Sequence, residues 1–170
     1  NGADQSTTFT DSSAGARTIS QFGNSELDTA EYKYGAASIK FDGAGDYISA
    51  PSSTDWDFGT GDFTVETWVR FNAFPASSAT LIGNYPGTWA FQYRPDSGNK
   101  ITWYNGGAVY SAALSLSTGT WYHFAICRSG TSLRIFVDGV QSGSTATDST
   151  NYNSTNSMTI GELRDFGQNI

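Results

Sequence analysis

Positively charged residues are scarce in this sequence. Nine Lys and Arg stand against sixteen Asp and Glu, which gives a formal net charge of −7, and no stretch gathers the basic residues together. Nucleic-acid binding depends largely on basic side chains that displace counterions from phosphates. The composition therefore excludes nucleic acid as a partner and disfavours anionic membrane surfaces.

Cysteine and histidine occur once each, and long apolar runs are missing. Cys127 has no second cysteine for an intrachain disulfide, and its apolar neighbours predict a buried, inert thiol. Ser-His-Asp or Cys-His catalysis could be built only around His123, which we expect to be a hydrogen-bonded strand residue. No apolar run approaches the roughly 20 residues that span a bilayer, so we expect no membrane insertion.

Aromatic residues and short alternating segments are what the sequence has in abundance. Fifteen percent of the residues are aromatic, and such side chains favour strands. No apolar pattern has helical spacing over eleven residues, so we predict no helix beyond a turn. Some dozen short strands within 170 residues predict one domain over residues 1–170, an all-β sandwich of two packed antiparallel sheets.

Several segments carry this prediction. Residues 63–71 place Phe63 and Val65 on a core face and Trp68 on the opposite face, between the charges of Glu66 and Arg70. Residues 38–49 predict a hairpin around an Asp-Gly-Ala-Gly turn. The remaining predicted strands are a meander at 79–84, 88–94, 100–104 and 108–113, then 121–128, 132–138 and a strand starting at Val140.

Seven short motifs follow one another along the chain in a specific order. They are Ser6-Thr-Thr-Phe-Thr-Asp-Ser-Ser13, Tyr34-Gly-Ala-Ala-Ser-Ile-Lys-Phe-Asp-Gly43, Gly45-Asp-Tyr-Ile48, Gly61-Asp-Phe-Thr-Val-Glu-Thr-Trp-Val-Arg70, Thr120-Trp-Tyr-His-Phe-Ala125, Leu133-Arg-Ile-Phe-Val-Asp-Gly139 and Met158-Thr-Ile-Gly161. Their order resembles the laminin-G-like jelly-roll domains of the concanavalin A-like lectin/glucanase superfamily, in the version frequent in marine phage virion proteins and bacterial surface proteins. The resemblance covers residues 34–161 and implies a jelly-roll sandwich in which Trp56, Trp68 and Trp121 lie in the core or between the sheets.

Two departures from the family concern the ends of the chain. Members usually begin with an apolar strand before the Thr-Phe-Thr-Asp segment and end with a further strand beyond the point where this chain stops. We therefore expect a segment of a longer chain that lacks its terminal strands. A neighbouring subunit, a second copy or flanking chain would then supply a strand to an open sheet edge.

A Glu-x-Asp-x-x-Glu motif at Glu26, Asp28 and Glu31 matches the spacing of retaining glucanases in the same superfamily. In those enzymes the motif lies on a central strand among aromatic residues, whereas here it precedes the Tyr34 landmark in a polar segment. A solvated segment would not raise the pKa of the acid. We therefore expect exposed charges and no enzyme.

A second group of residues has the composition of a glycan site. Sugar rings stack on aromatic side chains, and amides bind their hydroxyls. Trp103 and the six expected ligand contacts fall in the predicted meander, and the alternative is that alternate members fill the space between the sheets. The expected contacts are Trp89, Tyr104, Asn105, Tyr110, Asn84 and Tyr85.

Calcium is the one cofactor that the resemblance suggests. Many superfamily members hold a structural Ca²⁺ with oxygens from an early Asp-Ser-Ser loop, a Phe-Asp-Gly region and a C-terminal Asp. Asp11 and Asp42 match the first two positions, and the third is missing. The alternative is that these residues form turns by capping their own backbone.

Two functions fit the sequence. The first is a non-catalytic glycan-binding adhesion module, extracellular or on a virion surface, that recognises host polysaccharide. The second is a structural or decorative domain that contacts other virion or surface subunits and binds no small ligand. A sandwich of this class hosts many functions, so the fold alone does not separate them.

Overall fold

The computed structural model describes residues 2–85 and 87–161, which form fourteen strands and two single 3-10 turns. The turns are Thr54–Trp56 and Pro95–Ser97. None of the helices in these residues is long and apolar enough to cross a membrane. The strands are β1 Ser20–Phe22, β2 Glu26–Asp28, β3 Ser38–Lys40, β4 Tyr47–Ala50, β5 Phe63–Arg70, β6 Ala79–Tyr85, β7 Trp89–Arg94, β8 Lys100–Tyr104, β9 Ala108–Tyr110, β10 Trp121–Ser129, β11 Ser132–Val137, β12 Val140–Gln141, β13 Ala146–Thr147 and β14 Ser157–Ile160.

Two antiparallel sheets form the sandwich, which confirms the predicted all-β class and jelly-roll type. The seven-stranded sheet has the order β1-β4-β14-β6-β7-β8-β9. The five-stranded sheet has the order β12-β11-β10-β5, with β13 also paired to β11. Strands β6 to β9 are the predicted meander, and β10 to β12 are the predicted late hairpins.

The core lies between the two sheets because alternate residues of each strand point inward. In β5 the inward residues Phe63 and Val65 are buried, whereas Thr64 and Glu66 are exposed. Trp89 and Trp103 stack with ring centroids 4.9 Å apart. Burying each such side chain stabilises the fold by about 1.5–3 kcal/mol.

The predicted hairpin at 38–49 is wrong. The turn forms, but β3 pairs with β2 in a separate two-stranded sheet, whereas β4 pairs with β1 and β14. The buried carboxylate of Asp46 accepts hydrogen bonds from the backbone N–H groups of Asn24, at 2.6 Å, and Asp42, at 2.9 Å. This carboxylate holds the chain where it passes from the two-stranded sheet of β3 to the seven-stranded sheet of β4. The residues of the turn alone do not predict this change of sheet.

Three residues that were predicted to be buried lie on the outer face of a sheet instead. Trp56 is buried, as predicted. Trp68, Trp121 and Cys127 are half-buried on the outer face of the five-stranded sheet, because each lies out of phase with the inward residues of its strand. His123 is on the same face, directly opposite Trp68.

Candidate functional site

Two of the six expected ligand contacts lie inside the core. Trp89 is 1% exposed and packs between Trp103, at 4.9 Å, and Phe58, at 5.3 Å between ring centroids. Asn84, directly opposite Trp89 in the sheet, is fully buried, and its Oδ1 accepts a hydrogen bond from Ser154 Oγ at 2.7 Å. Neither side chain is open to an external ligand in this fold.

The side-chain amide of Asn105 is hydrogen-bonded to other residues of the protein. Its Nδ2 donates hydrogen bonds to Tyr152 Oη at 2.7 Å and to Thr150 Oγ1 at 3.1 Å. These bonds join the turn after β8 to the loop before β14. Asn105 is half-buried, so a further contact with a ligand stays a prediction.

The structure does not bring the expected contacts together on one surface. Tyr104 is half-buried and points to the side of its sheet opposite Trp103 and Trp89, because it alternates with Trp103 along β8. The side chains of Tyr85 and Tyr110 lie outside the described residues. Sugar contact at these three tyrosines therefore remains a prediction.

A buried arginine organises one end of the sandwich, and the sequence analysis missed it. Arg128 is 2% exposed on the inner face of β10. Its guanidinium donates hydrogen bonds to the carbonyl oxygens of Gly59 (2.8 Å), Gly61 (2.7 and 2.9 Å) and Thr150 (2.7 Å), and to Asp148 Oδ2 (3.3 Å). The signal was available, since Arg128 follows Phe124 and Ile126 at the inward phase of the strand.

Asp148 and Tyr152 complete this network. Tyr152 Oη donates to Asp148 Oδ2 at 2.8 Å and accepts from Trp103 Nε1 at 2.8 Å. Burial acts to raise the pKa of Asp148, but hydrogen bonds from Thr150 and Tyr152 and the Arg128 charge leave that pKa lowered. The carboxylate therefore stays ionised beside Arg128. All of these groups bind one another, so the network holds loops in place and offers no free acid or base.

The two carboxylates proposed for calcium are bound to their own loops. Asp11 accepts hydrogen bonds from Ser13 N, Ser13 Oγ and Arg17 N, each at 2.8 Å, and Asp42 Oδ1 accepts from Ala44 N at 2.8 Å. Across residues 2–85 and 87–161 no group of three His, Cys, Asp or Glu side chains could hold a metal ion. Calcium binding stays a prediction, which equal melting temperatures in excess calcium and in EDTA would contradict.

Asp11 gives a prediction on acid stability. Hydrogen bonds from Arg17 N and from the Ser13 hydroxyl and N–H lower its pKa from 3.8 to about 2. A lowered pKa in the fold means that the ionised carboxylate stabilises the protein above pH 3.8 and that this contribution is lost as the pH falls through about 2. The carboxyl carbon of Asp11, followed by NMR, should titrate near pH 2. Titration near 3.8, or an Asp11→Asn protein with unchanged acid unfolding, would contradict this.

The Glu-x-Asp-x-x-Glu motif lies outside the two main sheets, as predicted from its polar segment, but Glu26 and Asp28 are half-buried and not exposed as expected. Glu26 and Asp28 are on the three-residue strand β2. Glu26 binds Lys40 at 3.1 Å, and Glu31 binds Arg70 at 3.1 Å. Asp28 caps the backbone N–H groups of residues 30 and 31. Each carboxylate thus has a local partner.

A cleft of about 530 Å³ lies between the N-terminal segment 8–19 and the inner faces of β4 and β14. Ile48, Met158 and Ile160 line its floor, and Asp11 and Arg17 also line it. Those two charged groups already bind each other at 3.6 Å. The apolar floor offers few hydrogen-bonding groups for sugar hydroxyls.

The exposed ring of Tyr34 contacts the half-buried ring of Trp68 on the outer face of the five-stranded sheet, and we name these residues with their charged neighbours the Trp68 surface. It consists of Lys33, Tyr34, Glu66, Trp68 and His123. Tyr34 is 68% exposed, and its ring meets Trp68 edge-on at 5.6 Å and 75°. Lys33 Nζ lies 4.5 Å from the Trp68 ring centre. His123 Nε2 is 3.4 Å from a Glu66 carboxylate oxygen.

The strands explain why these side chains meet. Trp68 and Glu66 are successive outward residues of β5, and His123 lies opposite Trp68 on β10. Lys33 and Tyr34 come from the loop between β2 and β3, which Glu31 ties to β5 through Arg70. Sequence reasoning missed the site because Tyr34 lies over 30 residues from Trp68.

The chain matches one protein-family model and resembles several solved structures over most of its length. The family model Laminin_G_3, described as the concanavalin A-like lectin/glucanases superfamily, matches residues 42–169. No curated protein sequence gives a match. Domain 4 of AbnA, a GH43 extracellular arabinanase from Geobacillus stearothermophilus solved in complex with arabinotriose, is similar, with a TM-score of 0.68, 16% identity, and coverage of 90% of this chain and 77% of that one.

Two larger proteins contain a similar fold. The binding domain of botulinum neurotoxin serotype G has a TM-score of 0.66 and 16% identity over 89% of this chain and 40% of its own. A Trypanosoma rangeli sialidase has a TM-score of 0.54 and 16% identity over 85% of this chain and 24% of its own. The chain therefore spans less than half of each of these two proteins.

Proposed function

Because the chain belongs to the concanavalin A-like lectin/glucanases superfamily, we propose that it is a non-catalytic carbohydrate-binding module whose site is the Trp68 surface. The observation that carries the proposal is the exposed Tyr34 ring standing beside Trp68 among charged side chains. The arabinotriose complex of the AbnA domain, which has a similar fold, supports it.

The chemistry of the Trp68 surface suits a sugar. The apolar face of a pyranose or furanose ring can pack on the exposed Tyr34 ring, while its hydroxyls donate to the Glu66 carboxylate, whose side chain is 61% exposed. His123 lies beside that carboxylate and can bind a second hydroxyl. A shallow surface of this kind binds each sugar weakly, so display in many copies on a virion or cell surface would raise the avidity.

We propose no catalytic activity for the Trp68 surface. Glycoside hydrolysis needs two carboxyl groups on either side of the bond, one of them a proton donor. At the Trp68 surface the one carboxylate, Glu66, is solvent-exposed. An assay on mixed-linkage and laminarin-type β-glucans, with Glu26→Gln and Glu31→Gln as comparisons, tests this point, and turnover that either variant abolishes would overturn it.

Tyr34→Ala and Trp68→Ala should each weaken glycan binding by about three- to tenfold, because each removes aromatic contact that contributes about 0.5–1.5 kcal/mol. A glycan array probed with a multivalent form of the chain first identifies a ligand, and titration of the variants follows. Tyr32→Ala is the matched control, because Tyr32 is 46% exposed in the same loop.

The control should bind as the unmodified protein does. Tyr34→Ala and Tyr32→Ala should melt at similar temperatures, whereas Trp68→Ala, which truncates a half-buried ring, should melt lower but still fold. If no glycan binds the multivalent form, the proposal fails. If Tyr34→Ala and Trp68→Ala bind normally, carbohydrate binding survives but its site lies elsewhere.

Assembly is a second candidate function, and the open edge of β5 favours it. Strand β5 pairs with β10 on one side, and no strand within residues 2–85 and 87–161 pairs with its other side. A neighbouring subunit could add a strand there by β-augmentation.

A further inference from the structure

The loop between β2 and β3, residues 29–37, carries Lys33 and Tyr34 of the Trp68 surface. Strands β2 and β3 pair with each other in a two-stranded sheet of their own, whereas Trp68 belongs to the five-stranded sheet. The two halves of the proposed sugar site therefore come from different sheets. The site depends on the contacts that hold this loop against the five-stranded sheet.

Hydrogen bonds at the base of the loop hold only the loop itself. Asp28 Oδ1 accepts hydrogen bonds from the N–H groups of Ala30, at 2.8 Å, and Glu31, at 3.1 Å. Ser38 Oγ donates to Glu31 O at 2.6 Å. These bonds close the turn between β2 and β3, but none of them reaches the five-stranded sheet. The orientation of the loop relative to that sheet is left to other contacts.

A single ion pair joins the loop to the five-stranded sheet in the part of the chain that the structure describes. Glu31 Oε1 lies 3.1 Å from Arg70 Nη2, which donates a hydrogen bond to it. The ring and cation–π contacts across the same gap are those of Lys33 and Tyr34 with Trp68. Cation–π contacts are weak at exposed sites. The ion pair is therefore the main candidate for keeping the loop in place.

The fold holds the guanidinium of Arg70 independently of the loop. Its Nε donates to Gly119 O at 3.1 Å, and its Nη1 donates to the side-chain amide oxygen of Asn72. The side chain of Arg70 is 19% exposed, whereas that of Glu31 is 49% exposed. A surface ion pair is usually weak, in part because two flexible side chains must be ordered to form it. Here one of the two is already ordered, so the pair can hold the loop.

We propose that Arg70 is a positioning residue of the carbohydrate site, because it holds Tyr34 in place through Glu31. This role rests on the function proposed above for the Trp68 surface. All three guanidinium nitrogens of Arg70 donate to protein acceptors, so it acts on the sugar through the loop. A loop that is already held in its binding conformation loses less conformational entropy when the sugar binds. The ion pair therefore raises the affinity for the glycan.

Cleavage by chymotrypsin tests the hold on the loop without any sugar. The protease takes an aromatic ring into its own pocket, so cleavage after Tyr34 requires that ring to leave Trp68 and reports the open loop. Glu31→Ala and Arg70→Gln should each be cleaved there about two- to fivefold faster than the unmodified protein, as loss of one ion pair implies. Arg134→Gln removes the same charge from the outer face of β11 and should be cleaved at the unmodified rate.

Charge reversal separates the ion pair from a general loosening of the fold. Glu31→Arg should speed cleavage after Tyr34, because two cations then face each other. The same change in an Arg70→Glu protein should slow cleavage, since opposite charges face each other again. A role of Arg70 in the fold alone would make the two effects add. Glu31 is an exposed loop residue, so its variants should fold even if Arg70→Gln does not.

Titration with a glycan identified on the array completes the test. Affinity should fall about two- to fivefold in Glu31→Ala and Arg70→Gln, recover in the charge-reversed pair and stay unchanged in Arg134→Gln. Equal cleavage after Tyr34 in all variants overturns the positioning role and leaves the sugar site itself standing, and so does faster cleavage without any loss of affinity. If no glycan binds the unmodified protein, the proposed function and the positioning role both fail.

Discussion

Replacement of Arg128 by alanine should destabilise the protein by about 3–5 kcal/mol, because it leaves a buried carboxylate without its cation. Asp148 is 6% exposed, and the carbonyl groups of Gly61 and Thr150 would lose their donor as well, whereas Gly59 O would keep the N–H of Tyr152. The loss of a donor to one buried carboxylate and to part-buried carbonyl groups at once places this substitution among the most damaging in the chain. Urea unfolding followed by tryptophan fluorescence measures the effect.

Two further variants separate the charge from the packing. Arg128→Ala combined with Asp148→Asn should be less destabilising than the sum of the single changes, because the second change removes the unpaired charge. Arg134→Ala, on the outer face of the neighbouring strand, should change the free energy of unfolding by about 0.5 kcal/mol or less. Equal losses for Arg128→Ala and Arg134→Ala would show that the network does not stabilise the fold.

Local patterns in the sequence predicted the strands well where each strand shows its own alternation. Residues 63–71 gave the inward and outward faces of β5, and glycine-rich turns gave the ends of β7 and β8. The hairpin at 38–49 failed because strand pairing is not local. Its turn is real, but a buried Asp46 and the pairing of β3 with β2 send the two strands to different sheets.

Two of the expected ligand contacts, Trp89 and Asn84, are core residues for a related reason. Composition identified an aromatic and amide-rich meander, but it could not say which face of the sheet each ring occupies. Trp89 and Trp103 fill the space between the sheets, as the alternative interpretation allowed. The Trp68 surface forms because the loop residue Tyr34 contacts a strand residue that is more than 30 positions away in the sequence. A single sequence does not show that two such distant residues are in contact.

Substitutions of Trp89 test whether the aromatic residues of the meander contact sugar or fill the core. As a core residue, Trp89→Ala should cost about 3–5 kcal/mol of stability, since it empties the space between Phe58 and Trp103. Trp89→Phe should cost much less. It keeps a ring in place, and the Nε1–H that it removes has no hydrogen-bond partner in the part of the chain that the structure describes.

The buried position of Trp89 also predicts how its variants bind sugar. Trp89→Phe should bind a glycan identified on the array as tightly as the unmodified protein, because the ring at 89 has no face open to solvent. Trp103→Phe, which also keeps a ring but loses the hydrogen bond from Nε1 to Tyr152, should be less stable than Trp89→Phe. A folded Trp89→Phe protein with weakened glycan binding would instead return the site to the meander and contradict its placement at Tyr34 and Trp68.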